Sequence, residues 1–276
     1  MSSKECINDV FIKNDQIIEV INFKDEFVFS GFSIYEVIRI IDGIPLFLED
    51  HYERLINSLN LNNIEISISL NNLKQLINNL INANNKFIGN CKLVININVK
   101  NEKNLFLYFI KHYYPTENEY INGVRTHLYK AQRENPNSKS IFFDLRNKIN
   151  EYISNNRIFE VLLVNSDNYI TEGSRSNVFF IKEDKVLTPP ITQILPGVTR
   201  KYINKICKEN KVDLIERNIE INDLQFFTSA FLTGTSINVL PINSIDSIKM
   251  NTSNELIKKI SEAYIKKVNK YLSEKH

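Results

Sequence analysis

The sequence predicts two domains of α/β (α+β) class. Strand-like and helix-like segments alternate without a fixed order, a polar, proline-containing stretch interrupts them near the middle, and 276 residues are enough for two cores. The expected division is a smaller N-terminal α/β domain over 1–117, an interdomain segment over 118–136 and a larger C-terminal domain over 137–276.

Residues 10–13 and 17–20 flank Asn14-Asp15 and read as a hairpin. So do 33–41 and 44–48 around Asp42-Gly43, a dipeptide suited to left-handed turn positions. A helix is expected over 49–59, with Leu55 and Leu59 on one face. Another follows over 70–81, where Leu70, Leu73, Leu76, Ile77, Leu80 and Ile81 recur at helical spacing. Ile95, Ile97 and Val99 then alternate with Asn96 and Asn98 in a strand that pairs with 105–112. Past Pro115 a strand is expected over 120–129, followed by the polar Gln132-Arg133-Glu134-Asn135-Pro136-Asn137. The second half reads as a helix over 143–155, strands at 160–164, 177–181 and 185–187, a helix opening near Gly197, and strands near 213–216 and 230–233. Thr252-Ser253-Asn254-Glu255 has the capping-box pattern and starts a final helix near Ser253. Leu256, Ile257, Ile260, Tyr264 and Val268 form its apolar stripe, and Lys258, Lys259, Lys266, Lys267 and Lys270 its solvated side.

Composition excludes several functions. Seven glycines stand where average usage gives about 19, and neither a dinucleotide-binding G-x-G-x-x-G nor a G-x-x-x-x-G-K-[ST] phosphate loop is present. The net charge of +2 gives no reason to expect a nucleic-acid or membrane partner. The polar N-terminus has no signal core, and Cys6, Cys91 and Cys207 are widely spaced, which fits reduced thiols in a cytoplasm. No metal is expected, because His51, His112, His127 and His276 lack zinc-site spacing.

Chemistry-bearing residues concentrate in three blocks of the second half. Ile170-Thr171-Glu172-Gly173-Ser174-Arg175-Ser176-Asn177 places an acid in a polar turn between strands. Ile194-Leu195-Pro196-Gly197-Val198-Thr199-Arg200 leads into a helix, whose first N–H groups suit an anion. Thr233-Gly234-Thr235-Ser236 offers amide and hydroxyl donors at a strand end. Taken singly, the last two are an N-cap and a turn, and spacing alone does not join them.

These blocks, with Gly31-Phe32-Ser33-Ile34-Tyr35-Glu36-Val37-Ile38-Arg39, Asp42-Gly43 and His51-Tyr52-Glu53-Arg54-Leu55 in the first half, resemble the class IV (fold type IV) pyridoxal-phosphate aminotransferases. That family includes branched-chain and D-amino-acid aminotransferases and aminodeoxychorismate lyases. The resemblance covers nearly the whole chain and implies a two-domain fold type IV enzyme, with pyridoxal 5'-phosphate at the domain interface and bound chiefly by the C-terminal domain. It implies a Schiff base on Lys139, in Ser138-Lys139-Ser140. Glu172 matches the carboxylate facing the pyridine nitrogen, and Arg54 the phosphate-binding arginine of His-x-x-Arg-Leu. Val198, Thr199 and Thr235 complete the phosphate cup, Asn177 supports the ring side, and Tyr35 and Ser236 fall to the substrate. A homodimer is implied by the same analogy.

Two departures bear on substrate. Many relatives carry a carboxylate-capturing arginine in the strand matching 93–100, where this chain has none; Lys100 could substitute there as a point charge but lacks the bidentate fork. Ser140-Ile141-Phe142-Phe143-Asp144, after Lys139, lacks the tyrosine of branched-chain enzymes and the asparagine common in relatives. Leu187-Thr188-Pro189-Pro190-Ile191 and the 194–200 block look most like branched-chain enzymes, whereas Tyr35-Glu36-Val37 looks like the D-amino-acid group. The expected activity is transfer of the amino group of a branched-chain L- or a D-amino acid to a 2-oxo acid. The alternatives are a lyase releasing 4-aminobenzoate and pyruvate from aminodeoxychorismate, and a non-catalytic ligand-binding homologue.

Overall fold

The computed structural model describes residues 5–133, 135–141 and 143–275. The N-terminal residues 1–4, Glu134 of the polar stretch, Phe142 and His276 lie outside the described residues. The chain divides into two compact units.

The first unit comprises the chain up to Tyr113, Ser138–Ile141, and the residues from Asn269 onward. Its elements are β1 (Cys6–Lys13), β2 (Gln16–Glu19), α1 (Glu26–Phe29), β3 (Phe32–Ile41), β4 (Ile44–Pro45), α2 (Leu48–Leu61), α3 (Leu70–Ala83), β5 (Gly89–Ile97) and β6 (Lys103–Ile110). The strands form one six-stranded antiparallel sheet in the order β2-β1-β6-β5-β3-β4. Asp42 and Gly43 are both left-handed, at φ 50° and 78°, so the β3–β4 hairpin turns where the sequence indicated. The second strand is shorter than expected, because Phe47 is also left-handed and turns the chain into α2. Side chains alternate across the sheet. Ile34, Ile38 and Ile40 of β3 pack with Leu55, Leu59, Leu73 and Ile77 of α2 and α3, while Phe11, Phe23, Val28, Val94, Phe106 and Tyr108 cluster on the other face. With both faces covered, β5 is buried almost throughout and shows no alternation. The Ile95–Ile97–Val99 pattern therefore misplaced it: the strand ends at Ile97, and Val99 is 80% exposed beyond it.

The second unit comprises Tyr114–Asn137 and Phe142–Val268. It runs α4 (Glu117–Asn122), β7 (Val124–Lys130), α5 (Phe143–Asn156), β8 (Glu160–Val164), β9 (Tyr169–Gly173), β10 (Asn177–Lys182), β11 (Lys185–Thr188), α6 (Val198–Glu209), β12 (Leu214–Glu216), β13 (Ile219–Glu220), β14 (Ser229–Gly234), β15 (Asn238–Ile245), β16 (Ile248–Lys249) and α7 (Glu255–Ser273), whose last turn groups with the first unit. The ten-stranded sheet is ordered β12-β11-β10-β14-β15-β7-β8-β9-β13, with β16 paired to β15. The strand expected over 120–129 is instead the end of α4 followed by β7. Thr116 and Glu119 form a reciprocal capping box that starts the helix before the β-prone residues begin, and Gly123 at φ 69° ends it. The final helix starts later than its sequence pattern indicates, since Asn254 Oδ1 accepts the Leu256 N–H at 2.9 Å. Its buried stripe is Ile257, Ile260, Tyr264 and Val268, while Leu256, expected on the same stripe, is only half-buried. Among the described residues no helix is long and apolar enough to cross a membrane.

Candidate active site

Lys139 is fixed by its backbone. Residues 139–141 run antiparallel to β3: the Tyr35 N–H donates to the Lys139 carbonyl at 3.0 Å, and the Ile141 N–H to the Ser33 carbonyl at 2.9 Å. The Lys139 N–H donates to Ser58 Oγ of α2 at 3.2 Å. Ser138 and Ser140 share a hydroxyl hydrogen bond of 2.8 Å, and Asn62 Nδ2 donates to Ser138 Oγ at 2.8 Å. This register puts Lys139 on the same face as Tyr35, whose ring centroid lies 4.9 Å from Nζ. The two residues are thus brought together.

A second cation reaches that ring. Lys92 of β5 is wholly buried, with Nζ 5.0 Å from the Tyr35 centroid, and its charge is met by Glu5 Oε1 at 2.7 Å. Tyr108, opposite Lys92 on β6, donates its hydroxyl to Glu5 Oε2 at 2.7 Å. Lys100, by contrast, is exposed in the turn after β5. The buried cation of this strand is therefore Lys92, whereas Lys100 lies beyond the strand's end. The missed signal was a lone lysine inside an apolar strand, a residue type that is buried only when paired.

On the opposite face of β3, Glu36 meets α2. His51, Arg54 and Ser58 recur at helical spacing on the buried side of that helix. Arg54 donates from Nε to Glu36 Oε1 at 2.8 Å and from Nη2 to Oε2 at 2.6 Å, and His51 Nδ1 lies 2.8 Å from Oε2. Burial alone raises the pKa of Glu36, but the charge of Arg54 and the hydrogen bonds from Arg54 and His51 outweigh it and hold the carboxyl at about 2. Burial lowers the pKa of His51, and Arg54 and Lys139 add to that against the pull of Glu36. A neutral His51 beside an ionised carboxylate must carry its proton on Nδ1 and donate.

In the second unit, Glu172 and Asn177 hold the backbone of one residue, Leu195, from its two sides. Glu172 Oε2 accepts the Leu195 N–H at 3.0 Å, and Asn177 Nδ2 donates to the Leu195 carbonyl at 2.9 Å. Glu172 Oε1 is paired with Arg133 Nε at 3.0 Å. The turn between β9 and β10 is organised by buried Glu160, which accepts from Ser174 Oγ at 2.6 Å, the Arg175 N–H at 3.1 Å and Ser176 Oγ at 3.2 Å. Sequence reasoning singled out neither Glu160 nor Arg133. Two residues past Leu195, Gly197 precedes α6, where a Cβ would run into Asn177 Oδ1. The helix begins with no side-chain cap and with Val198 and Thr199 buried in its first turn. Thr235 and Ser236 lie half-buried in the turn joining β14 to β15, and buried Thr233 Oγ1 just before them has no hydrogen-bond partner among the described residues.

The first unit offers an amine at Lys139 and a buried guanidinium at Arg54, and the second offers a buried carboxylate fixed at both oxygens and an uncapped helix start whose N–H groups suit a phosphate. Each of these groups is of a kind that suits a phosphate-bearing pyridine aldehyde.

Residues 33–245 match the family described as amino-transferase class IV. The D-alanine aminotransferase of Bacillus licheniformis is 27% identical over 240 residues, covering 78% of this chain and 80% of that protein. The aminodeoxychorismate lyase of Bacillus subtilis is 26% identical over 263 residues, covering 89% and 88%. Among solved structures, the branched-chain amino acid aminotransferase of Escherichia coli superposes with a TM-score of 0.84 at 21% identity over 95% of both chains, so the α/β fold is shared.

Proposed function

The chain belongs to the class IV aminotransferases, enzymes that use pyridoxal 5'-phosphate, and from that premise we propose that it transfers the amino group of a branched-chain L- or a D-amino acid to a 2-oxo acid, with Lys139 holding the cofactor. The observation that supports this reading most is the setting of Lys139, whose backbone is tied to β3 and α2 so that Nζ is presented beside Tyr35. Bound, the cofactor supplies an electron sink for charge developing at the substrate Cα. Lys139 Nζ would take the proton from the substrate Cα and deliver it to the aldehyde carbon of the cofactor, a task that needs the amine held at one place. Glu172 keeps the ring nitrogen protonated. Arg54, the first N–H groups of α6 at Val198 and Thr199, and Thr235 hold the phosphate. Asn177 acts by holding the 195–197 turn. Tyr35, Ser236 and Lys92 orient the substrate, Lys92 by meeting the substrate's carboxylate.

One observation favours a second reading, elimination of pyruvate from aminodeoxychorismate. The cation on β5 is a lysine already answered by Glu5, not an arginine fork for an amino-acid carboxylate.

Purified protein given the cofactor should turn yellow, and borohydride should fix the cofactor irreversibly to Lys139. Amino transfer to 2-oxoglutarate from L-leucine or D-alanine should then be compared with pyruvate release from aminodeoxychorismate. Product from the last alone overturns the transaminase reading, and turnover by Lys139→Ala overturns the choice of lysine. Gel filtration should give a dimer.

A further inference from the structure

Arg133 lies in the polar stretch upstream of Lys139, in a position the proposed chemistry has not used. Its Nε is 3.0 Å from Glu172 Oε1, and its Nη2 donates to the Ser174 carbonyl at 2.8 Å. One guanidinium thus spans the carboxylate and the backbone just past it. Asn137, four residues further along, donates from Nδ2 to the Ile191 and Ile194 carbonyls at 2.8 and 2.9 Å, beside the Leu195 N–H that fills Glu172 Oε2. The same short segment therefore braces both sides of the acid.

Glu172 is 2% exposed. Burial of a carboxylate favours its protonated form. A guanidinium on one oxygen reverses that preference, because it favours the anion and does not itself lose a proton. Beside a basic ring nitrogen this decides where a shared proton sits. With Arg133 present the pair is carboxylate and pyridinium; without it the neutral pair, carboxylic acid and pyridine, costs less because no charge is buried.

We propose that Arg133 is a positioning residue that keeps Glu172 ionised and aimed, and so holds the proton on the cofactor's ring nitrogen rather than on Glu172 Oε1. This rests on the proposed function, in which Glu172 faces that nitrogen. The proton is neither gained nor lost; it moves from carboxyl oxygen to ring nitrogen.

The test is the nitrogen-15 chemical shift of ring-labelled pyridoxal phosphate bound to the full chain at neutral pH. The wild type should show the pyridinium position. Arg133→Gln, which keeps an amide donor for Ser174, and Arg133→Met should move the signal to the neutral pyridine position while still holding the cofactor. Arg133→Lys, which retains the charge, should stay at pyridinium. A neutral variant that remains at pyridinium, or a lysine variant that shifts as far as the glutamine one, overturns the assignment. Bracing of the turn alone would leave the nitrogen's protonation unchanged. Wild-type protein that binds no cofactor sinks the proposed function itself, an outcome distinct from failure at Arg133.

Discussion

Arg54 meets Glu36 through two nitrogens, Nε on Oε1 at 2.8 Å and Nη2 on Oε2 at 2.6 Å, and both side chains are buried. The pair fixes the plane of the guanidinium assigned to the cofactor phosphate. Breaking a buried pair from one side leaves an uncompensated charge, at a cost of about 3–5 kcal/mol. Glu36→Gln should therefore lower stability by that order in urea unfolding and weaken cofactor binding. Joint replacement by Glu36→Leu and Arg54→Met should be less destabilising than either single change, though it should bind cofactor worst.

The same pair sets an acid limit. Glu36 sits at about 2 in the folded chain against an ordinary 4.5, so its contribution is complete above about 4.5 and is lost as pH falls toward 2. The span corresponds to about 3 kcal/mol. His51 acts in the same direction: its folded value lies below 6.5, so protonation favours the unfolded chain as pH drops. Stability measured from pH 7 down to 3 should fall steadily, and Glu36→Gln should flatten the lower part of that slope.

The hairpin at Asp42-Gly43 and the helices α2, α3 and α6 were legible because local chemistry decides them. Left-handed turn residues and apolar spacing need no distant partner. The helix α4 was hidden by β-prone Tyr120 and Ile121, although Thr116 and Glu119 hold a capping box in plain view. A lone lysine in an apolar strand hinted at the buried Lys92, but the partner that permits its burial, Glu5, lies at the other end of the unit's sequence. Arg133 was read as part of a polar connector, and its meaning depends on Glu172 far along the chain. Lys139 was singled out by resemblance, since nothing local distinguishes it from a loop lysine.

Gly197 has φ −64° and ψ 137°, values open to any residue, so its need for glycine is steric and not conformational. An added Cβ would collide with Asn177 Oδ1, whose amide holds the Leu195 carbonyl. Gly197→Ala should cost about 1–3 kcal/mol, and it should weaken cofactor binding by displacing the start of α6. Asn177→Ala removes the obstacle and a hydrogen bond together. In the double variant the two losses should be less than additive, and a strictly additive urea-unfolding cycle would mean the clash is relieved elsewhere.

Lys92 gives the sharpest division between the two cations near this strand. It is buried, paired with Glu5 at 2.7 Å and 5.0 Å from the Tyr35 ring centroid, whereas Lys100 is exposed. A substrate carboxylate that reaches Lys92 must displace Glu5, which is itself 17% exposed and so has water to retreat into. A charge-assisted hydrogen bond is worth about 1.5–3 kcal/mol, so Lys92→Met should raise KM for the amino acid about tenfold or more. Its kcat should change far less, since the lost contact is made equally in the ground and transition states. Glu5→Gln should act in the opposite sense, lowering KM because the internal competitor is gone. Lys100→Met should leave both constants unchanged. Should Lys92→Met leave KM unmoved and lower only stability, the Glu5–Lys92 pair is a clasp on the N-terminal strand, and the substrate carboxylate is held elsewhere.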